Sequence, residues 1–168
     1  ALSVQGLGSG TVVYGIHIAA PSLAIAPGSP VDQVARHRMS TVYMPGHKIT
    51  MLPDDVVQSY TLQEGRDCPA VSLYVSFDEA TLAVKGSETR LERVPIASNL
   101  RHDQLDGVIT DATLTGEAPA AYAHAAELAF AFRLAKHLKL KREEVRGKPE
   151  NFTRPDYTFK LLSETGVN

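Results

Sequence analysis

The residues most able to bind a ligand form a small basic cluster around one tyrosine. Arg36-His37-Arg38 and His47-Lys48 flank Tyr43. An aromatic ring framed by cations suits single-stranded nucleic acid, because bases stack on the ring and phosphates pair with the cations. The simpler alternative is that these charges form an ordinary solvated face. A second basic run, Lys136–Arg146 with Lys148 and Arg154, has the same two interpretations, and the solvent face of a helix is favoured there.

Other residue types with catalytic potential lack the required spacing. Gly6–Gly10 has no Lys-Ser/Thr pair and no following helix, so it predicts a hairpin turn and not a phosphate loop. The six histidines show no paired metal-binding spacing, and His17 is interpreted as a satisfied core or sheet-face histidine. Cys68 is interpreted as structural, and Asp54-Asp55 as partners of a helix dipole. We therefore assign no catalytic and no metal-binding residue in this chain.

The composition is that of a globular domain. Of 168 residues, 43% are hydrophobic and 21% are charged, and the formal net charge is −2. No apolar run reaches the ~20 residues that a membrane-spanning helix needs, so no membrane partner is expected. Cys68 is the only cysteine, so no intrachain disulfide is possible, which fits a reducing compartment. The negative net charge argues mildly against RNA binding. An RNA-binding enzyme with acidic metal ligands and a local basic channel could nevertheless have the same net charge.

The elements that must position the basic cluster lie in the first third of the chain. Ser29-Pro30-Val31-Asp32 predicts a helix start, with Ser as the N-cap and Pro at the first helical position. This helix is expected to end near Arg38. Tyr43-Met44-Pro45-Gly46 predicts a turn, and Pro53 predicts the start of another short helix.

Two regions predict an antiparallel sheet. Residues 1–7 and 11–19 flank the Gly-rich turn and predict a β-hairpin. In Ala70–Phe77, apolar and polar residues alternate, which predicts a strand with one buried and one solvated face. The predicted buried face consists of Val71, Leu73, Val75 and Phe77, and the solvated face of Ser72, Tyr74 and Ser76.

The remaining elements are neighbouring strands and one dominant helix. Thr81–Val84 and Arg90–Ala97 predict strands, with a turn at Lys85-Gly86-Ser87. Apolar residues at three-four spacing predict a long helix over roughly 120–145. Residues 155–162 predict a final strand. Together these elements predict the α+β class, a largely antiparallel sheet with flanking helices.

Several short motifs follow one another between Val13 and Pro53. They read Gly15-Ile16-His17-Ile18-Ala19, Pro27-Gly28-Ser29-Pro30-Val31-Asp32, Ala35-Arg36-His37-Arg38, Ser40-Thr41-Val42-Tyr43-Met44-Pro45-Gly46 and Met51-Leu52-Pro53. In order and spacing they resemble the RNB catalytic domain of RNase II and RNase R, which reads G-I-H-I-A-D, P-G-S-x-L-D-x-x-A, T-S-V-Y-x-P-G and P-M-L-P. Ser98–Asp106 and Phe152–Tyr157 are similar to later family segments, so the resemblance covers nearly the whole chain.

The resemblance implies a 3′→5′ exoribonuclease that hydrolyses single-stranded RNA to nucleoside 5′-monophosphates. In the family, two divalent ions activate the attacking water and stabilise the leaving oxygen. The family holds them on a D-x-D-D-A-L-S motif, and Ala1-Leu2-Ser3 resembles its A-L-S tail. The resemblance thus implies that the Mg²⁺ ligands lie upstream of Ala1. It also implies that 1–168 is a single partial domain without that motif and without the family's C-terminal part, and inactive alone.

Family roles in RNA binding carry over by position. Tyr43 resembles the aromatic residue that stacks on the 3′-terminal nucleotides, and Phe152 resembles its partner in that clamp. With the surrounding cations, the expected RNA-binding residues are Tyr43, Phe152, Arg36, Arg38, Lys48 and Arg154. The expected partner is single-stranded RNA, and neighbouring cold-shock or S1-type domains are expected in the parent chain.

The chain departs from the family pattern at three places. Ala20 stands where the family usually has Asp, Thr50 replaces the first Pro of P-M-L-P, and Tyr60-Thr61-Leu62 replaces C-S-L. The replacement of Asp keeps a second hypothesis open, in which a catalytically inactive RNB-like domain binds RNA or a protein partner. An aspartate-rich run upstream of Ala1 would favour the enzyme.

Overall fold

The computed structural model describes residues 1–150 and Tyr157, except the side chains of His102 and Asp103. Its elements are β1 (Leu2–Gln5), β2 (Thr11–Ala19), a 3-10 helix (Pro21–Ala24), α1 (Pro30–Arg38), β3 (Val42–Met44), β4 (His47–Ile49), α2 (Asp54–Tyr60), β5 (Asp67–Asp78), β6 (Val84–Pro95), α3 (His102–Leu105), α4 (Asp111–Thr115) and α5 (Ala125–Arg146). They form two compact units, one of Ala1–Ala19 with Leu62–Glu150 and the other containing Ala20–Thr61. The predicted α+β class is confirmed, while the strand predicted at 155–162 lies outside the described residues.

The larger unit is built on a four-stranded antiparallel sheet in the order β1-β2-β5-β6. β1 and β2 form the predicted hairpin. Its glycine-rich turn is held from outside, because the Glu79 carboxylate accepts hydrogen bonds from the amides of Gly8 (2.7 Å) and Gly10 (2.9 Å). Both glycines have positive φ, which other residues adopt only with strain. The two amide hydrogen bonds lower the pKa of Glu79.

The turn between β5 and β6 lies before its predicted position. The sequence predicts a turn at Lys85-Gly86-Ser87, but these residues belong to β6, and the chain reverses over 79–83. The Asp78 carboxylate organises this reversal by accepting from the Thr81 amide (3.0 Å) and hydroxyl (2.9 Å). These bonds, together with a contact to Lys85, lower the pKa of Asp78 to about 2. Glycine occurs at bulges in strands as well as in turns, so Gly86 alone does not specify a turn. The β5–β6 register shifts beside Gly86, as expected for a bulge.

The predicted burial pattern of β5 is wrong over the first half of the strand. Val71 and Leu73 are 42% and 38% exposed, whereas Ser72, predicted to be solvated, is fully buried. Phe77 is buried as predicted, in a cluster with Val12, Leu82, Phe130 and Leu134. Alternation determines which residues share a face, but not what covers that face. In the part of the chain that the structure describes, α5 covers this face only around Phe77.

A second apolar cluster lies on the other face of the sheet. It consists of Cys68, Ala70, Val94 and Ile96. Because Cys68 and Phe77 are an odd number of positions apart in β5, their side chains point to opposite faces. Cys68 is fully buried, which agrees with its structural interpretation.

The long helix begins later than predicted. α5 starts at Ala125 and not near 120, since His124 adopts a left-handed backbone conformation (φ 61°) that an α-helix does not contain. Its end is as expected, because Gly147 caps it with φ 66°.

The smaller unit contains the helices predicted around the basic cluster. α1 begins as expected, with Pro30 as its first residue and the Ser29 hydroxyl accepting from the Asp32 amide at 3.3 Å. α2 directly follows Pro53. The turn predicted at Tyr43–Gly46 is part of a small hairpin, formed by β3 and β4.

We expect Gly15→Ala to lower the free energy of unfolding by about 1–3 kcal/mol, the usual cost of overpacking. A Cβ at Gly15 would lie 2.3 Å from Ser3 Oγ and 2.9 Å from His17 Nε2. The matched control is Gly86→Ala, also in a strand, where a Cβ would meet nothing within 4 Å. Urea unfolding measures both variants. Equal stabilities would contradict the close approach of Ser3 and His17 over Gly15.

Candidate nucleic-acid interface

The centre of the candidate interface is a cross-strand pair in the β3–β4 hairpin. Tyr43 lies directly opposite Lys48. Opposite residues of an antiparallel pair point to the same face, with Cβ atoms about 4.5–5.5 Å apart. Tyr43 is 80% exposed, and Lys48 is exposed as well. The ring can therefore stack on a base while the ammonium group meets a phosphate.

The hairpin that presents this pair is closed at its base. The Met51 amide donates to Thr41 Oγ1 at 3.1 Å, just beyond the two strands. Gly46 has φ 72°, and this conformation permits the tight reversal after Pro45. Tyr43 and Lys48 are thus held on an anchored hairpin.

The two arginines of α1 are engaged in different ways. Arg36 Nε lies 3.1 Å from Asp32 Oδ2, yet the Arg36 side chain remains 75% exposed. Arg38 Nη1 donates to the Thr50 carbonyl at 2.7 Å and so links the end of α1 to the residue after β4. An exposed ion pair contributes little stability, so Arg36 can exchange Asp32 for a phosphate. Arg38 serves first as a structural link to the hairpin.

The other expected RNA-binding residues, Phe152 and Arg154, lie outside the described residues. The clamp of Tyr43 with Phe152 therefore stays a prediction. What the structure establishes is that Tyr43 is not a core residue.

The basic run on α5 is extensively paired with acids. The ion pairs are Lys139–Glu143, Lys141–Glu144, Arg142–Glu150 and Arg146–Glu150. This pattern agrees with the solvated helix face that the sequence favours. Phosphate would have to displace an acid from each of these cations.

A buried polar network surrounds His17 in the larger unit. The His17 residue is 3% exposed, and its Nδ1 and Nε2 atoms lie 2.8 Å from Ser72 Oγ and 2.9 Å from Ser3 Oγ. The Tyr74 ring packs edge-on against the imidazole, and Tyr74 donates its hydroxyl proton to Glu92 at 2.7 Å. Burial lowers the pKa of His17, the ammonium group at the N-terminus lowers it further, and Glu92 opposes both. The interpretation of His17 as a satisfied histidine is confirmed.

The described residues do not fit a metal centre. No group of three or more His, Cys, Asp or Glu residues among them could hold an ion. Ala20 is 3% exposed, so a buried methyl group stands where the resembling motif carries a carboxylate. No catalytic step is assigned to these residues.

Within the described part of the chain, no helix has the length and apolarity to cross a membrane.

The RNB domain family model matches residues 1–167. The chain belongs to the RNB domain family. Exoribonuclease 2 of Vibrio parahaemolyticus is 31% identical over 179 aligned residues, which cover 99% of this chain and 25% of that protein. The family assignment made from the linked motifs is therefore confirmed.

Solved structures of RNB proteins share the fold. Yeast Ssd1, a pseudonuclease, matches with a TM-score of 0.71 and 26% identity, over 89% of this chain and 17% of Ssd1. Mycoplasma genitalium RNase R in complex with ribose methylated single-stranded RNA matches with a TM-score of 0.67 and 21% identity, over 85% of this chain and 22% of that one. The chain thus spans a quarter or less of the length of these RNB relatives.

The sequence contains one usable signal for the Tyr43–Lys48 pair. Val42–Met44 and His47–Ile49 flank Pro45-Gly46, which is the arrangement of two short strands around a two-residue turn. The sequence analysis predicted only a turn at Tyr43–Gly46, and a turn by itself does not specify which residue lies opposite Lys48. The His17 network has no comparable signal, since its members come from different strands whose register the sequence does not specify.

Proposed function

We propose that this chain is the RNA-binding central part of the catalytic domain of an RNase II/RNase R-like 3′→5′ exoribonuclease. Such an enzyme hydrolyses single-stranded RNA to nucleoside 5′-monophosphates. The observation that carries the proposal is the exposed Tyr43 ring beside Lys48 on an anchored hairpin. The Mg²⁺ ligands belong upstream of Ala1 in this proposal, and the bound ions would activate water and stabilise the leaving oxygen.

The preference for single strands follows from the exposed ring. Bases in a duplex are already stacked and paired, so only an unpaired base can offer its face to Tyr43. In this proposal Lys48, opposite Tyr43 in the hairpin, meets the phosphate of a stacked nucleotide, and Arg36 provides a further contact. The net charge of −2 does not oppose this, because the proposed contacts need only a few exposed cations, here Lys48 and Arg36.

The relatives support the proposal by what they do. Exoribonuclease 2 is by its name an exoribonuclease. RNase R of Mycoplasma genitalium has been captured both with ribose methylated single-stranded RNA and with double-stranded RNA, which supports RNA as the ligand. Because the chain spans a quarter or less of these proteins, the activity of the whole enzyme is itself proposed. Neighbouring cold-shock or S1-type domains in the parent chain are likewise proposed. A cytoplasmic location is proposed as well, and its support is that the single cysteine, Cys68, is free and buried.

A second candidate function is RNA binding without catalysis. Ala20 favours it, because this buried methyl group replaces the aspartate usual in the family. The likeness to Ssd1, a pseudonuclease, also favours it. Both candidates use the same interface and differ only in whether the parent chain carries the metal ligands.

We expect the 168-residue chain to bind short single-stranded RNA more tightly than duplex RNA of equal length. Lys48→Gln should reduce the slope of log affinity against log salt concentration by about 0.7, the value for one phosphate contact on a single strand. Lys141→Gln is the matched control, since it removes the same charge from α5, where Lys141 already pairs with Glu144. Fluorescence anisotropy over a salt series measures both slopes.

Two results of this experiment would reject the interface. One is an equal change of slope in both lysine variants, which would mean that RNA binding depends only on the total charge of the chain. The other is duplex binding as tight as single-strand binding, which a stacking ring does not produce.

A further inference from the structure

The outer edge of β6 has no strand beside it. β6 stands last in the order of the sheet, and among the described strands it pairs with β5 alone. Its side chains are exposed from Val84 to Leu91. The backbone N–H and C=O groups along such an edge are a template on which a further strand can pair. β6 is therefore a candidate interaction surface of the larger unit.

The backbone hydrogen bonds show which residues of β6 face outward. Ile96, directly after β6, donates its amide proton to the Arg66 carbonyl at 3.0 Å, so its backbone groups point toward β5. The direction of these groups alternates along an antiparallel strand. Between 86 and 96 the even-numbered residues thus bond to β5, and the odd-numbered residues face away from it. The outward-facing residues that can both donate and accept are Ser87, Thr89, Leu91 and Arg93.

The regular part of this edge is bounded at both ends. Before it, the β5–β6 register shifts between Ser76 and Phe77, which lie opposite Gly86 and Val84. After it, Pro95 has no amide proton to donate. Residues 87–93 therefore form the part of the edge that can pair without interruption.

The charges on this segment favour one alignment with a second, antiparallel copy of β6. With Leu91 opposite the partner's Leu91, Arg90 lies opposite the partner's Glu92, and Glu92 lies opposite the partner's Arg90. Opposite charges directly across a strand pair stabilise it, and like charges destabilise it. Centring the pair on Arg90 or on Glu92 instead would bring that residue opposite its own copy.

The same alignment satisfies the backbone. Leu91 faces outward in both copies, so the two Leu91 residues can exchange two N–H···O=C bonds across the pair. Thr89 and Arg93 of opposite copies also face outward and lie opposite each other, which adds two such bonds on either side. Centring the pair on Thr89 would also suit the backbone, but it would place Lys85 opposite the partner's Arg93.

The centre of this edge differs from that of a strand that is protected against pairing. Proteins usually protect an edge with exposed charges. The central outward residue of β6 is instead Leu91, which is 62% exposed. It shares a face of the sheet with Val71 and Leu73, which are 42% and 38% exposed. Pairing would cover Leu91 with its counterpart and continue this apolar face across the interface.

We propose that the outer edge of β6 binds a second copy of this chain, as an antiparallel strand pair centred on Leu91. Two four-stranded sheets then form one continuous sheet, through an interface with two-fold symmetry. The proposal does not depend on the proposed function, since β6 belongs to the larger unit and the candidate RNA interface to the smaller one.

Sedimentation of the 168-residue chain measures this association. Its mass should rise from the monomer value of 18.2 kDa toward twice that value between about 10 µM and 1 mM protein, the range of a small, weak interface. Arg90→Glu and Glu92→Arg each place like charges opposite one another and should raise the Kd roughly ten- to a hundredfold. An equal mixture of the two variants should associate near the wild-type Kd. In the mixed pair the two introduced charges lie opposite each other, and the native Glu92 lies opposite the native Arg90.

Leu91→Pro tests the backbone pairing independently of charge. The Leu91 amide faces away from β5, so proline removes no hydrogen bond of the sheet but blocks the centre of the pair. This variant should remain a monomer at every concentration. Lys141→Glu is the matched control, a charge reversal on α5 that should leave the Kd unchanged. If the proline variant does not fold, the charge variants and their mixture decide the question.

Three results would overturn the proposal. One is a wild-type chain that stays a monomer at every concentration, which would leave the edge of β6 free for a strand from elsewhere in the parent chain. Another is a dimer that persists in folded Leu91→Pro. The third is a mixture of the two charge variants that associates no better than either variant alone.

Discussion

In the full-length parent, Tyr43→Ala will lengthen the shortest RNA left undigested, while long RNA is degraded near the wild-type rate. Stacking of one base on an aromatic ring contributes about 1–3 kcal/mol. On a substrate of a few nucleotides this is a large part of the binding, and its loss lowers affinity roughly ten- to a hundredfold. A long strand is held by many phosphate contacts elsewhere, so the same loss is tolerated. Because Tyr43 is 80% exposed, its truncation leaves no core cavity.

Gel analysis of end-labelled RNA of graded lengths measures this effect. Tyr43→Phe is the control, because it keeps the ring and should leave the wild-type end product. If Tyr43→Ala slows degradation of long RNA as much as that of short RNA, and the end product keeps its length, then Tyr43 has a structural role and the stacking assignment is wrong.

The sequence predicted Tyr43 as the aromatic residue of the candidate interface but did not predict its neighbours. Linked motifs around Tyr43 indicated the family, and the family model over 1–167 confirms it. The neighbour of Tyr43 depends on strand pairing, and pairing across a two-residue turn places Lys48 opposite the ring. Arg38 is a residue whose contact the sequence did not predict. Its charge suggested an RNA contact, whereas its bond to the Thr50 carbonyl depends on how α1 meets the end of the hairpin.

Local signals predicted the elements of the fold better than their environment. Ser29 and Pro30 marked the start of α1 correctly, because capping acts within a few residues. The alternation in β5 identified a strand, but burial of its two faces depends on distant partners. His17 and Ser72 are buried in a polar network, while Val71 and Leu73 remain partly exposed. Periodicity carries no information about such partners, so apolar character alone predicted burial correctly at Phe77 and wrongly at Val71 and Leu73.

The purified 168-residue chain will bind single-stranded RNA without Mg²⁺-dependent hydrolysis. A two-metal reaction needs hard cations held by oxygen ligands that usually include carboxylates. Among the residues that the structure describes, no group of His, Cys, Asp and Glu could hold an ion, and Ala20 presents a buried methyl group. Binding by Tyr43 and Lys48 needs no metal, so binding and hydrolysis should separate.

Mononucleotide release, with and without added Mg²⁺, measures this separation, and anisotropy on the same RNA shows that the chain is folded and binds. The full-length parent serves as the control that distinguishes the two candidate functions. If the full-length parent releases mononucleotides and the 168-residue chain does not, the catalytic metal ligands lie outside the described residues. If both bind RNA and neither hydrolyses it, the parent is a binding protein, as the replacement of aspartate by Ala20 suggests.

Hydrolysis by the 168-residue chain that stops when a chelator is added would contradict this prediction, because it would show that the chain holds metal by itself. In that case the ligands would have to include side chains outside the described residues, such as Asp156 or Glu164.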